Sequence, residues 1–494
     1  MKLPIDKFFK DQISRWPLAC ENYRALKTAR TKTAIIGGLN VAFQCNPARI
    51  ISTAAKTDRA TLKKRPCFLC EENRPKEQSF LPFEGRKGKK YDILVNPYPI
   101  FDRHLVIAYH KHEPQDIAMK YVDILDLSQS APEFVFFYNG PKCGASAPDH
   151  HHFQGAPVGS MAIEPDVRNL IDSDDDKVLR PVTKILDAKL FEYKKYLRGV
   201  FVIRSRTVKS SAKLFYRLLD CAPFSEDGRE PLFNLLTFVH KGEYISIIIF
   251  RNKHRSSHYF EPAGSPKHLT MSPGCADMMG TLIMPVEEEW ENLNLNNIEE
   301  MLSEVTLSET KVRKICERLT RGQKLAHIGF FEGKELEFEV HSDGAGRRKA
   351  YFDSDKVRYG DVLYDELYFD ARNPDTMFAE ESFTVYNLPH IGESEGNVIG
   401  HFAGALKIVA SGGRLLAINI NGVEDYLLSV LTDDDLLLEE LRSKAIGLRR
   451  GLYTKIAARS ANCEYDILRH HYYGLTQNNK LNAIKAIDST WGII

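Results

Sequence analysis

The stretch "GASAPDHHHFQG", residues 144–155, sets three of the chain's sixteen histidines side by side just before a glutamine. Read as a β-strand, in which side chains alternate between faces, it directs His150, His152 and Gln154 one way and His151 and Phe153 the other. That division separates roles. One histidine of the pair can bind a metal or orient its neighbour, while the other, with a neutral ring nitrogen free, can attack an electrophile such as phosphorus. Gln154 adds an amide donor that holds an oxygen without adding charge. Upstream, Gly144 and Ser146 let backbone N–H groups and a hydroxyl come close to a polyphosphate. A solvated loop or a metal-sticky patch is the plainer reading of the same residues.

Working outward, strand-like runs rich in β-branched and aromatic residues dominate the first three hundred positions. They are "YDILVN" (91–96), "HLVIAY" (104–109), "EFVFFYNG" (133–140), "GVFVIRS" (199–205) and "YISIIIFR" (244–251). Helical periodicity is read in "DAKLFEYKKYLRGV" (187–200) and in one long amphipathic run from Asn297 to Gly322. A second strand-rich set follows in "LAHIGFF", "LEFEVH", "ALKIVAS" and "RLLAINI", then two helical segments. These shifts predict a first domain over 1–305, a linking helix over 306–322 and a second domain over 323–494.

The whole chain narrows the classes. At 494 residues it is too long for one hydrophobic core. Its 67 Lys and Arg balance 66 Asp and Glu, so no basic field invites nucleic acid. The N-terminus does not read as a signal peptide and no apolar stretch approaches membrane-spanning length, so the cytoplasm is the expected location and no membrane partner is expected. Nine cysteines at irregular spacing read as reduced thiols. Cys67 and Cys70 alone form a close pair, in "RPCFLCEEN", at the C-x-x-C spacing with which two thiolates reach one zinc ion; a redox pair is the alternative.

In order, "CFLCEEN" (67–73), "NPYPIFDRHLVIAYHKH" (96–112) and "YNGPKCGASAPDHHHFQ" (138–154) resemble the branched histidine-triad superfamily. That superfamily includes galactose-1-phosphate uridylyltransferases, diadenosine tetraphosphate phosphorylases and plant GDP-galactose phosphorylases. "IIIFRNKHRSSHYF" (247–260) and "MSPGCADMMGTLIMP" (271–285) are similar to its later half. The resemblance implies an α+β fold of antiparallel sheet with packed helices, a nucleotide or nucleotide-sugar substrate and a structural zinc ion. It implies His152 as the nucleophile that forms a covalent nucleotidyl-imidazole and Gln154 as the residue that stabilises it. It gives Cys67, Cys70, His112 and His150 as zinc ligands, with His110 near enough to compete with His112. Asn96 falls on a nucleotide contact, and Gly144 and Ser146 on the phosphate loop. Lys142, Arg251 and Lys253, with His254 and Arg255, are candidate charge-stabilising contacts for a phosphoryl group. One departure stands out: Asp149 is an extra residue between Pro148 and the first histidine. Related enzymes suggest a homodimer.

In the second domain, "GHFAGALKIVASGGRLLAINI" and "NGVEDYLLSVLTDDD" resemble the stage II sporulation protein D (SpoIID) family of lytic transglycosylases, implying a smaller α+β domain. The helix feature is Glu424, Asp425, Tyr426 and Leu427, but aspartates 433–435 stand where that family has its catalytic glutamate. An aspartate draws the carboxyl back by one methylene, so a non-catalytic domain is predicted, with a glycan or muropeptide as its ligand. Two functions follow: a nucleotidyltransferase or phosphorylase working through His152 on a nucleoside diphosphate sugar or dinucleoside polyphosphate, with a hydrolase as its variant, or a non-catalytic nucleotide- or glycan-binding protein.

Overall fold

The computed structural model describes residues 3–47, 65–223, 230–321, 325–341, 344–370, 382–389, 397–431, 438–458, 466–469 and 472. The chain divides into two compact units, one running to Thr320 and the other beginning at Arg321.

The first unit is organised by a ten-stranded antiparallel sheet. Its strands are β3 (Leu81–Glu84), β4 (Lys90–Val95), β5 (Leu105–Tyr109), β6 (Phe134–Asn139), β7 (His152–Pro157), β8 (Leu179–Ile185), β9 (Ala188–Tyr193), β10 (Val200–Ser205), β11 (Phe233–His240) and β12 (Glu243–Phe250). They lie in the order β3-β4-β5-β7-β6-β11-β12-β10-β9-β8, so β7 is internal, between β5 and β6. Because β4, β6, β11 and β12 are covered on both faces, their sequences read as nearly continuous apolar runs rather than alternating ones.

One face packs on a three-stranded sheet of β1 (Arg30–Ile36), β2 (Leu39–Cys45) and β13 (Thr281–Met284), and on the helices Ile163–Ser173 and Leu295–Val305. Met271, Met278, Met279 and Met284 are buried in this core. The other face carries the helices Tyr121–Ser130 and Val208–Cys221, where the Tyr121 and Phe215 rings stack 3.8 Å apart.

Two local expectations are corrected. Residues 187–200 are not helical: Ala188–Tyr193 form β9, paired with both β8 and β10. Apolar residues in that segment fit a helical period, but neighbouring strands that satisfy its backbone decide the outcome. The long run from Asn297 is two helices, Leu295–Val305 and Glu309–Arg321. Asn294 caps the first by accepting from the N–H groups of Asn296 and Asn297. Thr306 ends it in extended backbone, its hydroxyl turned back to the Leu302 carbonyl at 2.9 Å while it bridges to Arg251. The second helix belongs to the first unit, in which Arg318 donates to the Cys221 carbonyl at 3.0 Å.

The second unit contains two antiparallel-rich sheets. One has the order β19-β22-β23-β14-β24, from β14 (Leu325–Gly333), β19 (Glu366–Asp370), β22 (Ala405–Ser411), β23 (Arg414–Gly422) and β24 (Ile467–Leu468). The other runs Val362–Tyr364, Lys356–Tyr359, Arg348–Asp353, Glu335–Val340, Phe383–Pro389 and Asn397–Phe402 from edge to edge. Helices Val423–Leu431 and Leu438–Ala458 complete its core, into which Tyr426 and Leu427 are packed. The aspartates at 433–435 lie outside the described residues, and nothing is described of the Glu424 and Asp425 side chains. Both units are thus mixed α+β with antiparallel sheets. No helix among the described residues is long and apolar enough to cross a membrane.

Candidate active site and metal group

Pairing fixes where the histidines point. In β7, Phe153 lies opposite Ile107 of β5, and Gln154 lies opposite both Val106 of β5 and Phe137 of β6. The strand begins at His152 rather than at His150; the two preceding histidines sit in the turn that enters it, with the His150 N–H on the Ala147 carbonyl and the His151 N–H on the Glu113 carbonyl. His151 and Phe153 nevertheless share one face. The His151 ring is wholly buried, edge-on to Phe153 at 4.7 Å and surrounded by Tyr91, Tyr109 and Tyr138. Both of its ring nitrogens are sealed and have no hydrogen-bond partner among the described residues. This imidazole packs as an aromatic ring, and burial holds it neutral.

His152, on the opposite face, is only 3% exposed, yet its nitrogens are differentiated. Nδ1 lies 2.9 Å from the His150 carbonyl, an acceptor, so Nδ1 carries the proton and Nε2 keeps its lone pair. No hydrogen bond occupies Nε2 among the described residues, and it is not among the sealed polar atoms. Burial pushes the ring's pKa down to about 4, which keeps it neutral at physiological pH. Sequence reasoning missed Gln115, which fixes the main chain here. Its amide donates to the carbonyls of His152 (3.0 Å) and Asn139 (2.9 Å), while its oxygen accepts from the His152 N–H (2.9 Å). At the mouth of the β6–β7 pair a side chain therefore replaces the ladder.

Gln154 is aimed by a second residue that sequence reasoning missed. His104 takes the Ile100 N–H on Nδ1 (3.4 Å), so its Nε2 bears the proton and donates to Oε1 of Gln154 at 2.8 Å. The Gln154 amide hydrogens remain as donors with no partner among the described residues. The "RHLVIAY" run shows His104 only as the start of a strand; its role arises from the β5–β7 register.

The expected metal ligands come together. One ligand atom from each of Cys67, Cys70, His112 and His150 lies within 4.8 Å of the others. Cys67 Sγ is 3.4 Å and Cys70 Sγ 3.5 Å from His150 Nδ1, and Cys70 Sγ is 3.2 Å from His112 Nδ1. Metal–ligand bonds of about 2.0–2.3 Å in a tetrahedron place ligand atoms roughly 3.5 Å apart, so this group could hold a metal ion. His150 Nε2 donates to the Tyr109 carbonyl at 2.6 Å, presenting Nδ1 to the group. Without a cation, burial and the neighbouring Cys67 push the Cys70 thiol up to about 12. His110 stands outside the group, its Nδ1 3.6 Å from the Asp92 carboxylate.

Salt bridges set the loop that carries the two cysteines. Arg74 donates to the Leu69 carbonyl and to Asp92 (2.8 Å). The extra residue Asp149 pairs with Arg65 at 2.7 Å, tying the approach to His150 to the segment just before Cys67.

The remaining predicted contacts are placed differently. Asn96 turns its oxygen to the Tyr98 N–H at 2.9 Å, shaping the loop that leads to His104. Gly144 has φ +96°, and a Cβ there would stand 2.4 Å from the Gly274 Cα, so two backbones cross at this point. Ser146 is half-buried and Lys142 exposed on the same loop. Arg251 is a correction: it is 2% exposed, and its five N–H groups are directed at Asn234 Oδ1 and the carbonyls of Pro273, Val305, Lys253 and His254, which leaves none for a ligand. Lys253 is paired with Glu304. A basic turn in sequence does not reveal carbonyls curled onto its own guanidinium.

Comparison with known proteins gives the following. A family model described as a domain of unknown function (DUF4922) matches residues 8–157. No curated protein matches the chain. Among solved structures, yeast Ap4A phosphorylase Apa2 is similar at 15% identity, covering 60% of this chain and 96% of that one, with a TM-score of 0.39. A DUF4931 family protein from Bacillus cereus is similar at 16% identity over 38% of this chain and 93% of its own, with a TM-score of 0.26. A uridylyltransferase is similar at 11% identity, covering 52% of this chain and 91% of its own, with a TM-score of 0.26.

Proposed function

We propose that the first unit is a nucleotidyltransferase or phosphorylase that passes a nucleotidyl group through His152. The observation that carries the proposal is the state of that ring: Nδ1–H on the His150 carbonyl, Nε2 unprotonated and without a partner among the described residues, with an amide donor two residues on at Gln154. The Nε2 lone pair forms a bond to the α-phosphorus while the bond from that phosphorus to the bridging oxygen breaks, its electron pair leaving with the distal phosphate. The acceptor's oxygen then attacks the same phosphorus and the N–P pair returns to Nε2. Nδ1 keeps its proton throughout, and the positive charge gained by the ring is spread toward the His150 carbonyl. The Gln154 N–H groups donate to a non-bridging oxygen as charge develops there.

In this reading the Cys67, Cys70, His112 and His150 group holds zinc, whose role is structural: it fixes the peptide whose carbonyl sets the His152 tautomer. The substrate is a nucleoside diphosphate sugar or a dinucleoside polyphosphate. The test is to incubate the protein with labelled GDP-hexose, UDP-hexose and diadenosine polyphosphates without acceptor. An acid-labile nucleotidyl adduct that disappears in His152→Ala is expected; no adduct from any donor would reject the proposal in favour of a binding protein. Release of the adduct by phosphate but not by water would select a phosphorylase over a hydrolase.

A further inference from the structure

The turn after β12 carries four basic or titratable side chains, and their hydrogen bonds differ. Arg251 has spent every donor, Lys253 is held by Glu304, and His254 is kept neutral by burial and by the two neighbouring arginines. Arg255 alone combines a fixed position with free donors. Its Nε–H donates to Ser272 Oγ at 2.9 Å and its guanidinium lies over the Tyr259 ring at 4.1 Å, whereas its two terminal nitrogens have no partner among the described residues. Ser272 Oγ, which accepts from Arg255, also lies 2.9 Å from His254 Nε2 and so ties the two side chains of the turn together. No carboxylate pairs with Arg255 among the described residues, so its charge is held rigid and unneutralised.

This cluster is joined to the His152 loop by backbone. Two residues beyond Ser272, Gly274 crosses Gly144, which leads through Ser146 to His150. Arg251 binds the Pro273 carbonyl and Asn234; Asn234 donates to Asn139 Oδ1 and to the Cys143 carbonyl, and the Asn139 main chain is held by Gln115 together with that of His152. A planar, anchored guanidinium with its fork open is suited to two oxygens of one phosphoryl group.

We infer that Arg255 holds a phosphoryl group other than the one transferred, either the distal phosphate of a nucleoside diphosphate or a free inorganic phosphate. The inference rests on the reading above for the identity of the substrate, but its test does not require turnover. Equilibrium binding of inorganic phosphate, GDP and GMP to the full chain is measured for the wild type, Arg255→Gln and Arg255→Lys. If the distal phosphate is the ligand, Arg255→Gln weakens GDP by about tenfold or more and leaves GMP unchanged; if free phosphate is the ligand, inorganic phosphate weakens by a similar factor. Arg255→Lys keeps the charge but loses the fork, so an affinity between the two is expected, and this variant carries the test should Arg255→Gln fail to fold. Unchanged affinity of all three probes in the variants, or no binding of phosphate or GDP to the wild type, overturns the inference. An absent adduct alongside Arg255-dependent binding would reject the histidine chemistry and leave this site standing.

Discussion

Where the chain enters β7, its two faces put chemically identical rings to opposite uses. His151 is enclosed by Tyr91, Tyr109, Tyr138 and Phe153 with both nitrogens unsatisfied, whereas one residue later His152 has each nitrogen assigned. Burial depresses the pKa of both, so neutrality does not separate them. What separates them is the partner of Nδ1: a carbonyl acceptor leaves a defined lone pair at the other nitrogen, and an aromatic enclosure leaves none. A perturbed pKa thus marks burial, and chemistry needs the hydrogen bond as well.

The largest expected effect comes from removing the assigned ring. His152→Ala abolishes the nucleotidyl adduct with the fold intact, which gel analysis and circular dichroism together would report. Next is the support behind it: Cys70→Ser is expected to lower the metal content, measured by release to a colorimetric chelator, and to lower the thermal midpoint by at least about 3 °C. Retained metal in that variant would dissociate the cysteines from the site. Gln154→Ala slows adduct formation by about a hundredfold, and His104→Phe, which only disorients the amide, by about tenfold.

Acid stability gives a smaller effect. His254 has its pKa lowered from 6.5 to about 3 by burial first and the charges of Arg251 and Arg255 second. Between those values the unfolded chain binds a proton that the folded one refuses, so stability contributed above pH 6.5 is lost as pH falls toward about 3. The urea midpoint of His254→Gln is expected to fall less over that window. The smallest effect belongs to the enclosed ring: His151→Phe leaves adduct formation within about twofold and stability unchanged or up to about 1 kcal/mol higher, because two unpaired buried nitrogens are removed. A loss as large as that of His152→Ala would erase the contrast between the faces.

Much of this was legible in the sequence, and for local reasons. The C-x-x-C spacing, the histidine run and the apolar strands each carry their signal within a few residues; the antiparallel sheet and the choice of His112 and His150 as ligands came from the family resemblance those motifs carry together. His104 and Gln115 were not legible as site residues, because their roles depend on strand register and on contacts spanning 37 and 50 positions; Arg255 was legible only as one of several candidates in a basic turn. Arg251 was misread for the same reason, its acceptors lying mostly on other segments. The segment 187–200 shows the limit of periodicity: its apolar residues suit a helix or a strand, and only the flanking β8 and β10 choose.

The crossing of Gly144 over Gly274 binds the two halves of the first unit to unequal terms of change. A methyl group at 144 would run into the opposing main chain, whereas one at 274 would meet the Asn139 oxygen at 3.3 Å. At this crossing the early loop is therefore the more tightly bound of the two to glycine.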